Sequence, residues 1–233
     1  MRERSNTTPK PAGLNARRST LGARVSGPRA GRRFDADNGV TTEALVFLGD
    51  LDPEAIGENL AHATHYEPTP VGDFAALLAH VPFALQSATF VDIGSGMGRA
   101  LLLAAQYPFR QIVGIEISPA LHEIACENVA KVRSAPLACR DIRPVRADAA
   151  RYTFPRGALV VYLYNPFDGE VLAVVIERLT RRLAREVALI YHTPVERATI
   201  EAHPDFELIG EESCGVVYRL SAKSGGAPRS SPS

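Results

Sequence analysis

The stretch Phe-Val-Asp-Ile-Gly-Ser-Gly-Met-Gly-Arg at residues 90–99 is the most informative part of this 233-residue chain. A β-branched run ends at Asp92, three alternate glycines follow, and an apolar helical pattern begins at Ala100. This order is that of a buried strand, a tight turn and the N-terminus of a helix. Glycine lets the backbone approach a ligand closely, and the first turn of a helix offers unpaired N–H donors. The turn is therefore predicted to hold a carboxylate, a phosphate or a polar sugar.

A second β-branched run, at residues 111–116, ends in the carboxylate of Glu116. An acid at the end of this strand, about 20 residues after the glycine turn, is placed to accept hydrogen bonds from both hydroxyl groups of a ribose. The glycines stand in the pattern G-x-G-x-G, at Gly94, Gly96 and Gly98. A nicotinamide or flavin site needs G-x-G-x-x-G, so the spacing argues against a dinucleotide of that type.

The glycine turn and the acid after it resemble motif I and the following acidic motif of class I S-adenosylmethionine-dependent methyltransferases. The resemblance implies that S-adenosyl-L-methionine is the cofactor, that turn 94–98 holds its methionine end and that Glu116 binds its ribose. It also implies contacts with the cofactor from Asp92, Ser95 and Ile117. A purely structural turn is the alternative for the glycines, but it does not explain Glu116.

The third predicted strand runs into Ala147-Asp148-Ala149. An acid there matches the position at which this family usually recognises the adenine amino group. The resemblance implies that the Asp148 carboxylate accepts the exocyclic N–H groups and that the backbone N–H of Ala149 meets a ring nitrogen. The alternative is that Asp148 only caps a turn or a helix.

The fourth predicted strand ends in Asn165-Pro166-Phe167. This element resembles motif IV of amino-methyltransferases, Asn-Pro-Pro-Tyr/Phe, with one proline missing. The resemblance implies that the Asn165 side-chain carbonyl and the Pro166 main-chain carbonyl accept N–H groups of the acceptor nitrogen, and Asn165 is also expected to contact the cofactor. Phe167 is expected to stack on a planar substrate. The alternative is an Asn-Pro turn that closes the strand.

A Tyr-x-Pro-Thr element precedes the first strand of the sheet, with Tyr66 and Thr69 at its ends. It resembles a cofactor-covering segment of several methyltransferase families, which implies that these two residues bind the methionine carboxylate or enclose the methyl group. A rigid proline-rich turn is the alternative. The glycine loop and the Asn-Pro element also resemble those of the non-SET histone-lysine methyltransferases. Over roughly residues 60–220 the chain is similar to uncharacterised bacterial class I methyltransferases.

Predicted strands alternate with predicted helices along most of the chain. Strands are predicted at 89–93, 111–116, 143–147, 159–164, 186–192, 206–211 and 216–220, and helices at 53–63, 71–80, 98–106, 119–131, 168–184 and 195–202. Strands separated by helices form parallel βαβ units, whereas the last two strands are separated only by a turn. The pattern predicts an α/β fold with a Rossmann-like doubly wound sheet, mostly parallel with an antiparallel C-terminal hairpin strand, as in class I methyltransferases.

Composition divides the chain into four segments. Residues 1–35 are predicted to be a disordered basic arm, 36–87 an N-terminal helical segment or lid, 88–220 the S-adenosylmethionine-binding domain and 221–233 a disordered tail. Residues 1–33 contain nine basic residues and one acid, so the arm is either a disordered extension or an organellar transit peptide. Residues 34–220 contain 25 acids and 15 basic residues, which argues against a large nucleic-acid groove on the domain.

Other sequence features narrow the class of protein. No apolar run is long enough to span a membrane, and the three cysteines lack a C-x-x-C spacing, so we expect a cytoplasmic protein without membrane contact. His62, His65 and Glu67 lack a further matched ligand and are interpreted as surface residues, so no metal site is predicted. Arg99 is expected to pair with an acid, such as Asp92 or the cofactor carboxylate, because a cation is unfavourable at a helix start.

The predicted function is methyl transfer from S-adenosyl-L-methionine to a nitrogen of a protein side chain or a small molecule. Catalysis would consist mainly of positioning and of carbonyl oxygens that stabilise positive charge. His192, at the end of the fifth predicted strand, is expected in the acceptor pocket. An RNA-base methyltransferase is one alternative, and a non-catalytic Rossmann-like nucleotide-binding module is the other. A protein or small molecule is favoured over nucleic acid as the partner, and the acceptor and the oligomeric state are left open.

Overall fold

The strands of this chain form one mixed sheet. The computed structural model describes residues 28–46, 65–132, 136–181 and 186–220. Within these ranges the strands are β1 (Thr89–Ile93), β2 (Gln111–Glu116), β3 (Ile142–Arg146), β4 (Leu159–Tyr164), β5 (Val187–His192), β6 (Phe206–Glu212) and β7 (Gly215–Leu220). Their order across the sheet is β3-β2-β1-β4-β5-β7-β6. The first five strands pair in parallel, whereas β7 is antiparallel to both β5 and β6.

Helices flank the sheet. In the described part of the chain they are α1 (Pro28–Asn38), α2 (Val71–Leu78), α3 (Arg99–Ala104), α4 (Pro119–Val132), α5 (Gly169–Thr180) and α6 (Arg197–Glu201), with a 3-10 turn at Leu85–Ser87. Local signals set several of their ends. The carboxylate of Asp168, for example, accepts hydrogen bonds from the backbone N–H groups of Glu170 and Val171, at 3.1 and 3.2 Å, and so caps α5.

Every predicted strand and helix that falls on described residues is present, and the fold class is confirmed. It is the arrangement that the resemblance to class I methyltransferases implies. One boundary is wrong: residues 28–35 belong to α1 and are not part of a disordered arm. Phe34 is the physical reason, because its ring is buried under the guanidinium of Arg99, 4.6 Å from the ring centroid. The predicted helix at 53–63, residues 1–27 and the tail at 221–233 lie outside the described residues.

The core lies on both faces of the sheet because successive strand residues point to opposite sides. Phe90, Ile112 and Val160 belong to the cluster that packs under α2 and α3. Their chain neighbours Val91, Val113 and Val161 belong to the second cluster, which packs under α5 and α6. The central strands are therefore buried on both faces, as continuous β-branched runs predict.

The strands at the two edges of the sheet are more exposed than the central ones. Pro144 lies in the middle of edge strand β3, where its missing N–H does not remove a hydrogen bond from the centre of the sheet. The chain changes direction across the sheet between β1 and β4, and a crevice opens beyond the carboxyl ends of strands at such a point. No described helix is both long and apolar enough to cross a membrane.

Candidate active site

A cleft lies at the carboxyl ends of β1, β2 and β4. The empty space inside it, including the open mouth, is about 900 Å³. The predicted site residues that line it are Tyr66, Thr69, Asp92, Gly94, Ser95, Gly96, Glu116, Ile117, Asp148, Ala149, Pro166 and Phe167. Gly98 and Asn165 do not line it. The fold therefore brings together residues from five separate segments of the chain.

The glycine turn has left-handed backbone at alternate positions, with φ of +77° at Gly94, +53° at Gly96 and +87° at Gly98. Side chains would also collide here, since a Cβ on Gly94 would lie 2.6 Å from the Cβ of Pro166. A Cβ on Gly96 would overlap the ring of Tyr66. Both the backbone conformation and the lack of space require glycine, so the turn forms a bare backbone floor for the cleft.

Glu116 is held at the end of β2 by backbone donors. Its two carboxylate oxygens accept hydrogen bonds from the N–H of Gly96, at 2.7 Å, and the N–H of Ser118, at 2.8 Å. The carboxylate is thus oriented by backbone donors in the wall of the cleft.

Asp92 and Glu116 form a pair of buried carboxylates, 3% and 5% exposed, in the wall of the cleft. Burial raises the pKa of both groups, and the charge of Glu116 raises the pKa of Asp92 further. Among the described residues, no lysine, arginine or histidine forms an ion pair with either acid. Two buried negative charges without a cation are costly, and a positively charged ligand would offset that cost.

The Ser95 hydroxyl is a second unsatisfied group in the cleft. It is buried in the wall and forms no hydrogen bond within the described part of the chain. A buried hydroxyl without a partner is rare in folded proteins and is common where a ligand supplies the partner. Ser95 therefore points to a polar ligand atom next to the glycine turn.

Asp148 has the features of both sequence interpretations. Its carboxylate accepts a hydrogen bond from the N–H of Ala150 at 2.8 Å and lies 3.5 Å from the guanidinium of Arg151, so it does stabilise the turn after β3. It also lines the cleft next to Ala149. The capping role and a role in ligand binding are compatible, since a carboxylate has about four acceptor positions.

The Asn165-Pro166-Phe167 element lies at the end of β4. Asn165 has a left-handed backbone, with φ of +41°, and its side-chain oxygen accepts a hydrogen bond from the hydroxyl of Tyr191 at 3.1 Å. That hydroxyl accepts the N–H of Glu196 at 3.2 Å. The Asn165 carbonyl is therefore held in place by a buried tyrosine. Pro166 and Phe167 form part of the cleft wall, and Phe167 also packs into the core.

Tyr164 is an aromatic residue of the cleft wall that the sequence analysis did not select. Its ring meets the imidazole of His192 edge to face, with centroids 4.1 Å apart, because the two residues are paired across β4 and β5. Burial raises the pKa of the Tyr164 hydroxyl, and the charge of Glu67 raises it further. Its position at the carboxyl end of a central strand is the signal that would have identified it.

Tyr66 and Thr69 lie against the cleft but are already partnered. The Tyr66 hydroxyl donates a hydrogen bond to the backbone oxygen of Thr42 at 2.8 Å, and its ring covers Gly96. Burial raises the pKa of Tyr66, so its hydroxyl stays protonated. The Thr69 hydroxyl accepts a hydrogen bond from Tyr162 at 3.3 Å. Their ring and methyl surfaces, more than their hydroxyl groups, are available to enclose a ligand.

Arg99 does pair with acids, but the partners are not the expected ones. Its guanidinium lies 3.2 Å from Asp35 and 2.9 Å from Glu43, and its Nε donates to the Thr42 hydroxyl. The predicted partner Asp92 is wrong, because α1 and the segment after it deliver two acids to the back of the glycine turn. A positive charge at the start of α3 is tolerated here because two carboxylates neutralise it.

Asn128, on α4, attaches the same N-terminal segment to the glycine turn. Its side chain exchanges two hydrogen bonds with the backbone of Thr41, at 2.9 and 2.8 Å, and donates a third to the backbone oxygen of Met97 at 3.0 Å. The residue is fully buried. Arg99 and Asn128 thus attach residues 28–46 to the glycine turn at two separate points. No local sequence motif predicts these contacts.

No family model matches the chain, and no curated protein matches it significantly. It is similar to the solved structure of mitomycin 7-O-methyltransferase MmcR, with 16% identity and a TM-score of 0.48 over 64% of this chain and 53% of that one. It is also similar to TrmN from Thermus thermophilus, with 20% identity and a TM-score of 0.49 over 66% and 49% of the two chains.

A third similar structure is phosphoethanolamine N-methyltransferase 1 from Haemonchus contortus, in complex with phosphoethanolamine and S-adenosylhomocysteine. The identity is 18% and the TM-score 0.42 over 52% of this chain and 25% of that one. The chain spans about half the length, or less, of each of these three proteins. Identities this low bear on the fold alone, and with TM-scores below 0.5 the function has to be argued from the chain's own residues.

Proposed function

We propose that the chain is an S-adenosyl-L-methionine-dependent methyltransferase that acts on a nitrogen of a protein side chain or a small molecule. The observation that carries the proposal is the pair of buried carboxylates, Asp92 and Glu116, without a cationic partner in the described residues. A ligand with an ammonium and a sulfonium group offsets this charge. A dinucleotide with two phosphates would add to it.

The residues of the cleft fit this cofactor. Glu116 is expected to accept hydrogen bonds from the ribose hydroxyl groups, and Asp92 offers an anion beside the bare glycine turn. The unpartnered Ser95 hydroxyl is expected to bind a polar atom of the methionine end. Asp148 and the N–H of Ala149 are expected to bind the adenine, and Gly98 acts indirectly because its N–H donates to the Ser95 backbone oxygen at 2.8 Å.

When bound, S-adenosyl-L-methionine supplies an electrophilic methyl group on a positively charged sulfur. Asn165 and the Pro166 carbonyl are expected to accept hydrogen bonds from the acceptor and to stabilise positive charge that develops on it. The Tyr191 hydroxyl fixes the Asn165 amide, so less reorganisation is needed during the reaction. Phe167 and Tyr164 provide aromatic surface in the wall of the cleft.

The charge around the acceptor side supports nitrogen as the target atom. Glu67 lines the cleft, and the charges of Glu67 and Asp73 both raise the pKa of the Tyr164 hydroxyl. A nitrogen acceptor becomes positive as it is methylated, so nearby carboxylates lower the barrier. The exposed carboxylate of Glu67 is also able to take up the proton that the nitrogen releases.

Calorimetric titration with S-adenosyl-L-methionine, S-adenosylhomocysteine and NAD tests the cofactor. We expect the two adenosyl ligands to bind, NAD not to bind, and Glu116→Gln to weaken binding by at least about tenfold, the loss of one or more hydrogen bonds to a charged group. Glu67→Gln is the matched control, because it changes the other glutamate of the cleft wall and should retain cofactor binding. Binding of NAD, or equal effects of the two variants, would contradict the assignment.

The acceptor is tested with a labelled methyl group. Transfer is measured to lysine-containing peptides, to small primary amines and to RNA, with wild type and with Asn165→Ala. Label on peptides or amines that disappears in the variant supports the proposal. Label on RNA assigns the RNA-base alternative, and cofactor binding without transfer to any class indicates a non-catalytic binding module.

A further inference from the structure

A second cluster of chemically active side chains lies away from the cofactor cleft. Asp73 on α2, His192 at the end of β5 and Cys214 in the two-residue turn between β6 and β7 bring one ligand atom each to within 4.8 Å of one another. None of the three lines the cleft. Three elements that are distant in sequence therefore present a carboxylate, an imidazole and a thiol to one point.

The distances fit a shared metal ion. The carboxylate of Asp73 lies 3.1 Å from Nε2 of His192. Two such ligands on one tetrahedral zinc ion are separated by about 3.4 Å, and an imidazole nitrogen and a thiolate by about 3.6 Å. The first pair is already close to this spacing, and the Cys214 sulfur, within 4.8 Å of both other ligand atoms, needs to approach by at most about 1 Å to complete it.

The imidazole is oriented by other groups, as metal-binding histidines usually are. Nδ1 of His192 is hydrogen-bonded to the Thr193 hydroxyl at 3.1 Å, and the ring packs against Tyr164. Thr193 has φ of +49°, a conformation that β-branched residues rarely adopt. The surrounding structure keeps Thr193 in this conformation, which leaves Nε2 as the nitrogen that faces Asp73 and Cys214.

The electrostatic environment also suits a cation. The carboxylate of Asp73 belongs to the cluster, and Glu212 lies two residues before Cys214 in the chain. A divalent cation at this point would offset the negative charge of Asp73.

We propose that Asp73, His192 and Cys214 bind a zinc ion, with a fourth position left for water or a ligand. A thiolate and an imidazole exclude calcium and magnesium, which prefer oxygen donors, and a mixed S, N, O set is typical of zinc. The ion would join α2, the end of β5 and the β6–β7 turn. It would also fix His192 against Tyr164, a residue of the cleft wall. The proposal does not depend on the cofactor or the reaction.

Cobalt(II) replaces zinc in the test because a cobalt–thiolate bond gives a near-ultraviolet charge-transfer band. The full-length chain, without a histidine tag and dialysed against a chelator, is titrated with cobalt and then with zinc. We expect a band that saturates at one cobalt per chain and disappears on addition of zinc. Cys214→Ser should abolish it, whereas Cys126→Ser, which changes an exposed cysteine on α4, should leave it intact. Thr193→Val should weaken cobalt binding by about 10- to 100-fold.

A second measurement avoids variants altogether. Wild type is alkylated with iodoacetamide with and without zinc, and the modified cysteines are identified by mass spectrometry. Zinc should protect Cys214 and leave Cys126 reactive. A wild type without the cobalt band, a band that persists in Cys214→Ser, or equal alkylation of Cys214 with and without zinc overturns the proposal and leaves only an Asp73–His192 hydrogen bond.

Discussion

Two clusters of buried charge lie next to the glycine turn, and they differ in whether the charges form ion pairs. In the first, Arg99 pairs with Asp35 and Glu43, so the cation has two anionic partners. In the second, Asp92 and Glu116 form no ion pair with a described residue. The first cluster is neutralised within the protein, whereas we propose that a positively charged ligand neutralises the second. The difference separates a structural site from a binding site by charge balance, without reference to any motif.

Arg99→Met would disrupt the neutralised cluster and have the greatest effect on stability. It leaves Asp35 and Glu43 without their partner in a site where the arginine is 2% exposed. Removing one member of a buried ion pair typically lowers the free energy of unfolding by about 3–5 kcal/mol. Urea denaturation followed by circular dichroism measures the loss.

Arg197→Met is the control for that experiment, since Arg197 pairs with Glu201 and Glu211 at the surface. Its urea midpoint should stay close to that of wild type, because exposed ion pairs contribute little. Similar urea midpoints for the two variants would show that the buried Arg99 cluster contributes no more to stability than an exposed ion pair.

Asp92→Asn would have the opposite effect in the cluster without a cation. The pKa of Asp92 is raised in the folded state, so the folded protein binds a proton more tightly than the unfolded chain does. Stability due to this group is therefore present at acidic pH and is lost as pH rises through the raised pKa. Each unit of pKa shift corresponds to about 1.4 kcal/mol, so the neutral variant should be more stable than wild type at neutral pH.

The same substitution should weaken binding of S-adenosyl-L-methionine, because it removes an anion from the cleft wall. Thermal denaturation with and without the ligand measures both effects on one sample. Without ligand, wild type should have a lower melting temperature than Asp92→Asn. Addition of S-adenosyl-L-methionine should raise the melting temperature of wild type by more than that of the variant. A variant that melts below wild type without ligand would mean that Asp92 is stabilising and that the carboxylate pair is not under strain.

Tyr191→Phe would cause a smaller loss of stability. It also tests whether Tyr191 positions Asn165 for the reaction without contributing to cofactor binding. It removes the hydroxyl that donates to Asn165 and accepts from Glu196, and should lower the free energy of unfolding by about 1 kcal/mol. The kcat of methyl transfer should fall, while the Kd of the cofactor stays unchanged. Tyr218→Phe removes a hydroxyl bonded to Glu201 at another part of the sheet and should leave kcat intact. Equal kcat values for the two variants would remove Tyr191 from the positioning role.

The fold could be predicted from the sequence because the patterns that indicate strands, helices and turns are local. The glycine turn and the strands on either side of it each depend on a few neighbouring residues, and they lie where they were predicted. The same holds for Asp92, Glu116, Asp148 and Pro166. Each of these residues lies at, or within two residues of, the carboxyl end of a strand. Parallel strands bring their carboxyl ends to one edge of the sheet, so these residues meet in the cleft.

What the sequence did not reveal depends on packing between distant segments. Asp35 and Glu43 reach Arg99 only because α1 folds behind the glycine turn, and composition placed residue 35 in a disordered arm. Cys214 meets Asp73 only because the β6–β7 hairpin returns beside β5. Residues that meet only through packing of distant segments have no regular spacing in the chain. No helix or strand period therefore predicts that they come into contact.

Proton release on ligand binding tests most directly whether the cleft selects a cation. Wild type is titrated with S-adenosyl-L-methionine at mildly acidic pH in two buffers with different ionisation enthalpies, and the difference in heat gives the protons exchanged. A cation lowers the raised pKa values of Asp92 and Glu116, so protons should be released and affinity should increase with pH. The Asp92→Asn variant should release fewer protons on binding. Proton uptake, or an affinity independent of pH, would contradict a cleft built around two uncompensated carboxylates.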